Sequence, residues 1–494
     1  MNPSLVSFSI EQDRWTDWVG TTSSNTFFFN TLDNLRRLTG QPPGIRIGAN
    51  SEDHTNFNPN VQFSQAIFPA FTAQTPYPEA SSIVVGNQYY QIASHLPPGT
   101  HVTWGVNFGQ NNLTAAFLEA QSIKNAFASS AVKNAGITLD FIEIGNEADL
   151  YAHANNGARN PSTWSISEYT KEWTNFAKNV SVAAGITSSS HVKFLGGSFG
   201  FSGHSSSSFS PQGMFASGIL NSPQGQLITT ISQHHYSGSF CTGSNGLLQD
   251  LMTKATIRSN LTQFSSDIAA THAQGLGYIL GETNSYSCHG APGVSNTAGA
   301  GLWTLDYLLF ASQIGISQLF FHEGIGFKYN LIQPLTLNHS TLDGHTLNPP
   351  LAPHVQPQYY AAVIAGEAIG TSGSTRAVEL SIGDARVTGY AFYEGNTLKR
   401  VVLVNLRAFL TTDTGGRPFK TITIGFTGSG SKPTTMTLKR LAIGHADDGH
   451  GLTWGGQSYE TGDARPTGAI SVQTLSVNTS FQLSSTEAVM LSFN

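Results

Sequence analysis

The 494-residue chain is predicted to fold as an α/β protein, a (β/α)8 TIM barrel over residues 1–371 followed by an antiparallel β-sandwich over 372–494. Three observations lead there. Short β-branched and apolar runs alternate with helical stretches eight times between residues 5 and 369, the pattern of parallel strands joined by crossover helices. The acids, histidines, asparagines and tyrosines gather at the trailing ends of those runs, where barrels concentrate their chemistry. Beyond residue 372 the helical period stops, and period-two runs between Gly-rich turns take over.

In chain order, Leu5-Val-Ser-Phe-Ser-Ile-Glu11 reads as the first strand and ends in an acid. A helix follows over 24–38, rich in Phe and Leu and closed by Gly40. Gly44-Ile-Arg-Ile-Gly-Ala-Asn50 is the second strand. A long excursion separates it from the third, His101-Val-Thr-Trp-Gly-Val-Asn-Phe108. A helix over 113–134 leads to the fourth strand, 139–146, which runs into Asn146-Glu147. Ser165-Ile-Ser-Glu168 has the reciprocal S-x-x-E pattern that caps a helix start, and this helix runs to about residue 184. The fifth strand is 192–197, with a Ser/Gly-rich loop at 198–212. The sixth, 227–233, ends in His234, His235 and Tyr236. One helix over 247–273 precedes the seventh strand, Tyr278-Ile-Leu-Gly-Glu282. A helix over 299–314 precedes the eighth, Gln318-Leu-Phe-Phe-His322, and a helix over 358–369 completes the barrel. In the C-terminal part, 386–393, 400–405, 421–426 and 435–441 alternate at period two, and 480–493 supplies two last strands.

The totals exclude several function classes. Charged residues are only 11%, well below the usual quarter, and Gly, Ser, Thr and Asn replace them as in many secreted carbohydrate-active proteins. With 24 Lys+Arg against 30 Asp+Glu, the chain suits neither nucleic acid nor a dedicated role on sulfated polyanions. No apolar run reaches the roughly 18 residues of a membrane span, so no membrane partner is expected. No secretory leader precedes the first strand, so the chain is either cytosolic or starts at a mature end; the expectation is a secreted protein. Sequons at Asn112, Asn179, Asn260, Asn338 and Asn478 add weak support, being near chance frequency in so Ser/Thr-rich a chain. Cys241 and Cys288 each follow a strand end by a few residues. If those strands are barrel neighbours, a disulfide is geometrically open to them; two free buried thiols are the alternative.

Glu147 and Glu282 each stand at the carboxyl end of a strand, far apart in sequence, and only a closed barrel brings them together. Two carboxyl groups on one cleft are what cutting a glycosidic bond needs. In a retaining enzyme they stand about 5–5.5 Å apart, one as nucleophile and one as acid, then base. Two unrelated structural glutamates are the bland reading, and their pairing at strands four and seven weighs against it. A regular strand turns Glu143 the same way as Glu147, so Arg46 is read as the structural partner of that buried acid. Period two turns His234 to the side of Tyr236 and His235 away. His234, His235 and His289 make no convincing ligand set, so no metal and no cofactor is expected.

Gly145-Asn-Glu147, Glu282-Thr-Asn-Ser285 and His234-His-Tyr236 together resemble glycoside hydrolase family 79 of clan A, the family of β-glucuronidases and heparanases. Leu452-Thr-Trp-Gly-Gly-Gln-Ser-Tyr459 is similar to that family's C-terminal domain, so the resemblance covers essentially the whole chain. It implies Glu147 as acid/base and Glu282 as nucleophile, with Glu11 gripping sugar hydroxyls. Asn50 and Asn107 are similarly placed for substrate. Asn146 is placed for the sugar 2-hydroxyl, and Tyr236 for a hydrogen bond to Glu282, with His234 on the same side. By the same resemblance Tyr286, the backbone near Gly290 and Tyr329 hold a glucuronate carboxylate. The loop around Cys288 reads as one residue longer than in bacterial members, and Ala49 stands where a second glycine is common. The implied activity is a retaining exo-β-glucuronidase, releasing terminal β-linked glucuronic acid or its 4-O-methyl form from glycans or glycoconjugates. A heparanase-like endo enzyme is the alternative, one that would want a more basic cleft. Another clan A specificity, such as arabinofuranosidase or xylosidase, and a non-catalytic carbohydrate-binding barrel are the remaining readings.

Overall fold

The computed structural model describes residues 1–152, 159–243, 246–427 and 432–493. Eight parallel strands close into a barrel, each bonded to its neighbours in chain order. They are β1 (Val6–Glu11), β2 (Ile45–Gly48), β3 (His101–Val106), β4 (Thr138–Ile144), β5 (Lys193–Phe199), β6 (Ile228–Ser239), β7 (Gly277–Ser287) and β8 (Leu319–Glu323). β8 returns to pair with β1 from Val6↔Leu319 to Ile10↔Glu323. Every residue of β1, β2 and β8 is buried, because helices cover the outside while side chains fill the inside. Alternation sorts the two sides: Leu319 and Phe321 join the large core beneath the helices, while Phe320 meets Leu195 and Ile279 in a small separate apolar cluster.

Helix starts follow local chemistry. Asn25, Asn112 and Ser165 accept hydrogen bonds from backbone N–H groups of the turn that follows each. Two expected helices are broken instead. The stretch 113–134 divides at Ser129, whose extended backbone (φ −67°, ψ 153°) ends Leu113–Ala128 and caps Ser130–Asn134. The stretch 247–273 is three helices, Leu248–Leu251, Lys254–Thr262 and Ser265–Ala273; Thr253 before the second is extended at φ −77°, ψ 119°. Apolar spacing carried through both breaks and concealed them.

Two additions rise over the carboxyl ends of the strands. The excursion after β2 holds a short helix, Asn50–His54, and a three-stranded sheet of Thr55–Phe57, Ser64–Ile67 and Ser82–Val85. The segment after β8 carries a hairpin of Leu337–His339 with Thr346–Leu351. They meet where Phe71 packs on His339 at 4.5 Å between ring centroids, and the excursion lends Gln74, Thr75 and Glu79 to the cleft wall.

The last barrel helix ends at Ile369, and the C-terminal sheet opens with Thr375–Glu379. Seven antiparallel strands form that sheet, faced by a two-stranded one of Phe419–Ile422 with Phe481–Ser484. Both faces of the large sheet are buried. Val401, Leu403, Val489 and Leu491 point between the sheets, whereas Val402, Val404, Ala488 and Met490 alternate onto the barrel core. Trp454 Nε1 donates to Glu367 at 2.6 Å, and Tyr360 Oη donates to the Leu452 carbonyl at 2.6 Å, so the 452–459 motif is a docking point on the last barrel helix.

Candidate active site

Two departures from regular strand geometry bring the glutamates to one place. β4 stops at Ile144; Gly145 then takes φ +76°, and Glu147 itself sits at φ +49°, a left-handed conformation uncommon outside glycine. Glu147 N–H donates to the Ser198 carbonyl at 2.9 Å, tying it to the end of β5. The buried Asp53 carboxylate accepts from Asn146 N–H (3.2 Å), from Phe108 and Gly109 N–H, and from Tyr151 Oη (2.6 Å), clamping the ends of β3 and β4 together. In β7 the pairing with β6 slips between Leu280 and Glu282, so that Glu282 stands opposite His234. Such a bulge re-aims the side chain next to it. A Cβ at Gly281 would lie 2.1 Å from Ser232 Oγ, so a larger residue there would have to turn that hydroxyl aside.

Arg46 joins the buried acids. Its Nε donates to Glu143 at 2.6 Å, Nη1 to Glu282 Oε2 at 2.8 Å, and Nη2 to Asn146 Oδ1 at 2.8 Å. The expected Glu143 partnership is therefore only half of its role. On the other carboxylate oxygen of Glu282, Tyr236 Oη donates at 2.7 Å. His322 lies 3.9 Å from Glu282 and 3.3 Å from Glu11. Burial works to raise the Glu282 pKa, but the positive charges of His322 and Arg46 and the Tyr236 hydrogen bond override it and bring the group to about 2. Glu147 moves the other way, to about 8, first through burial and then through the negative charge of Glu282. His234 is held near 4 by burial, so it is a neutral imidazole, with Nδ1 3.0 Å from Glu147 Oε1. His322 rises to about 9, because burial is outweighed by Glu282 and Glu11. One carboxyl is thus kept protonated and its neighbour ionised.

An oxygen of Glu147 and one of Glu282 come within 4.8 Å of each other, with a nitrogen of His234 equally close. Retaining glycosidases hold their carboxyls about 5–5.5 Å apart, whereas an inverting water needs roughly 6.5–9.5 Å. The same three atoms could bracket a divalent cation, but the Arg46 guanidinium already sets a fixed positive charge against Glu282. Tyr236→Phe should lower kcat about tenfold and move the acidic limb of the rate profile upward, since it removes a hydrogen bond to an ionised group. A pH–kcat series on that variant checks both effects; an unmoved acidic limb would contradict the role given to Tyr236.

The other expected site residues divide. Asn50, His234, Tyr236 and Tyr329 line the cleft with the two glutamates. Glu11 lies behind the wall, accepting from Ser51 N–H at 3.0 Å and facing His322, so it supports the site from beneath. Asn107 is spent on the chain itself, donating to the Thr55 carbonyl at 2.7 Å. Asn146 has both polar ends engaged, by Arg46 and by Asn50 at 3.2 Å. Tyr286 turns away from the cleft and packs on Gly238 and Gly246, where Cβ atoms would collide with its ring and hydroxyl. Gly290 N–H donates to the Tyr286 carbonyl at 3.1 Å and is not free for a ligand. Cys241 and Cys288 are joined as a disulfide at the rim. His235, expected to face away, packs between Phe264 and Tyr307 and still reaches the cleft wall.

Sequence reasoning missed Asp53, the site role of His322, and Glu79. Glu79 comes from the excursion, accepts from Asn50 Nδ2 at 3.3 Å, and pairs with His289 at 2.8 Å. His322 carried a signal, ending strand eight as His234 ends strand six; Glu79 sits in a loop without periodicity and carried none.

The C-terminal sheet matches the family model described as the glycosyl hydrolase family 79 C-terminal beta domain, over residues 389–490. A β-glucuronidase of Aspergillus niger is 29% identical over 472 residues, covering 92% of this chain and 82% of that protein. One of Neurospora crassa is 27% identical over 498 residues, covering 92% and 84%. The solved structure of a 4-O-α-L-rhamnosyl-β-D-glucuronidase from Fusarium oxysporum, in complex with Rha-GlcA, superposes with a TM-score of 0.80 at 25% identity. It spans 100% of this chain and 96% of its own. The C-terminal sheet thus matches the family 79 C-terminal domain, and the chain as a whole, barrel and paired glutamates included, is similar to these glucuronidases over nearly its full length.

Proposed function

We propose that this enzyme is a retaining exo-β-glucuronidase. The observation that carries the reading is a pair of carboxyls within 4.8 Å, of which Glu282 accepts from both Arg46 and Tyr236. In the first step Glu282 attacks the anomeric carbon, the bond to the aglycone oxygen breaks, and the Glu147 proton goes to that oxygen. The new ester removes the negative charge of Glu282. With it goes the repulsion that adds to burial in raising the Glu147 pKa, so the pKa falls and Glu147 can take a proton from water as the water displaces Glu282. The neutral His234 at 3.0 Å orients the Glu147 carboxyl through both steps.

The β-glucuronidase relatives from two fungi and the glucuronidase structure support a uronic acid in the reacting position. Among the described residues no lysine or arginine lines the cleft, which suits a single carboxylate better than a sulfated chain. Of the residues expected to hold that carboxylate, Tyr329 lines the cleft, its ring 5.9 Å from that of Tyr236, which supports the reading. Beside it Lys328 is 1% exposed, and its Nζ lies 3.2 Å from the Gln74 carbonyl and 5.6 Å from the Phe240 ring, both residues of the cleft wall. It pairs with no carboxylate among the described residues, and burial lowers its pKa to about 8. A buried ammonium without a counter-ion favours an anionic guest. The rim disulfide and low charge content support an extracellular setting.

Assay of matched aryl β-glucuronide, β-glucoside and β-xyloside tests the reading. The glucuronide should be preferred about a hundredfold or more in kcat/KM, which is a little under 3 kcal/mol of discrimination. Equal rates on the three would sink it. Lys328→Met should cut kcat/KM on the glucuronide about tenfold and leave the glucoside unchanged. Parallel losses on both would make Lys328 a packing residue only.

A further inference from the structure

Asn50, Glu79, His289 and Tyr329 give the cleft wall polar groups. Leu150, Phe201 and Phe264 give it apolar surface, with Ser202, His204 and Gln263 next to them in the chain or the wall. Phe201 is 73% exposed although it belongs to the cleft, an orientation that burial alone does not favour. It is also held in place. Asp149, two residues after Glu147, accepts from Gly200 N–H at 2.9 Å and from Phe201 N–H at 2.7 Å. Gly200 lies against the Glu147 carboxyl so closely that a Cβ there would be 2.8 Å from Glu147 Cδ. The backbone that carries the ring is therefore anchored beside the group that protonates the departing oxygen.

We propose that Phe201 is the platform of the aglycone subsite, and that this subsite takes a leaving group built on a ring with an apolar face, whether a sugar or an aryl ring. The proposal rests on Glu147 being the acid, because the leaving group stands on the acid's side of the bond. The cleft volume of about 910 Å³ is near the top of the roughly 300–1,000 Å³ range of ligand pockets, and exceeds what one sugar ring fills. An aromatic ring that stacks on a guest ring adds selectivity through the flat contact, which an alkyl aglycone cannot make. In this role Phe201 holds the leaving group and neither forms a bond nor moves a proton, so it is a specificity-determining residue.

The test compares three β-glucuronides: phenyl, a glucuronyl disaccharide, and methyl. Phe201→Ala should lower kcat/KM about tenfold, chiefly through KM, on either or both ring substrates, and change the methyl glucuronide less than twofold. Loss on the phenyl compound alone identifies an aryl aglycone, loss on the disaccharide alone a sugar. Phe201→Trp should restore most of the lost efficiency. An equal fall on all three substrates, or no fall on any, overturns the subsite while leaving the proposed function standing. A wild-type enzyme inactive on all three overturns the proposed function, and the subsite with it.

Discussion

Replacing Glu282 by glutamine is expected to lower kcat about 10,000-fold or more while leaving the fold and glucuronide binding intact. The amide cannot form the ester, so the double displacement loses its first bond rather than a fraction of its driving force. The fold should tolerate the change for a reason visible in the charge distribution. Arg46 keeps Glu143 at 2.6 Å, so no unpaired guanidinium is left in the barrel. Tyr236 can donate to the amide oxygen as it donated to the carboxylate. Calorimetric titration with glucuronic acid and a thermal melt check the two halves, and a 2-fluoro-glucuronosyl donor should label wild-type Glu282 covalently. Label recovered on another residue, or a variant within tenfold of wild-type rate, would falsify the nucleophile assignment.

The barrel was legible because alternating strand and helix periods depend on burial, which the chain repeats eight times. The glutamates were legible because each ends an apolar run behind a glycine. What the pattern could not carry was geometry set by single backbone departures. Period two places Glu143 correctly inside the barrel, yet Glu147 is aimed by left-handed φ values at Gly145 and at Glu147 itself. The bulge before Glu282 is likewise a slip in the pairing of two strands, which no single run reveals. Glu11 and Asn107 show the converse limit. Both stand at strand ends as expected, but the Ser51 N–H of the excursion's first helix bonds Glu11 and the Thr55 carbonyl of its sheet takes the Asn107 amide, and a structureless-looking insertion gives no warning of that. Arg46 was read as serving one acid because sequence shows one demand at a time; a guanidinium with donors on three nitrogens serves Glu143, Glu282 and Asn146 together.

The pH dependence of kcat/KM should be a broad plateau that falls on the alkaline side near pH 8. In the proposed mechanism the competent form has Glu147 protonated and Glu282 ionised. Raising the pH through about 8 strips the acid of its proton and lowers the rate. Acidification protonates the nucleophile only near pH 2, well below the usual carboxylate range. The two titrate as a pair, so each limb belongs to both groups jointly. Glu147→Gln separates the contributions. On a substrate with a poor leaving group it should cost roughly 100- to 10,000-fold, the span of general acid catalysis. On a nitrophenyl glucuronide, whose departure needs little proton assistance, the first step should survive and the alkaline limb should vanish. Azide should then accelerate turnover by attacking the glycosyl-enzyme without a base. His322, raised to about 9, is the other group that could produce an alkaline limb. Its deprotonation would weaken the hold on Glu282 from the opposite side. A limb that persists in the Glu147→Gln enzyme would therefore assign the transition to His322 and remove the claim that Glu147 is the acid.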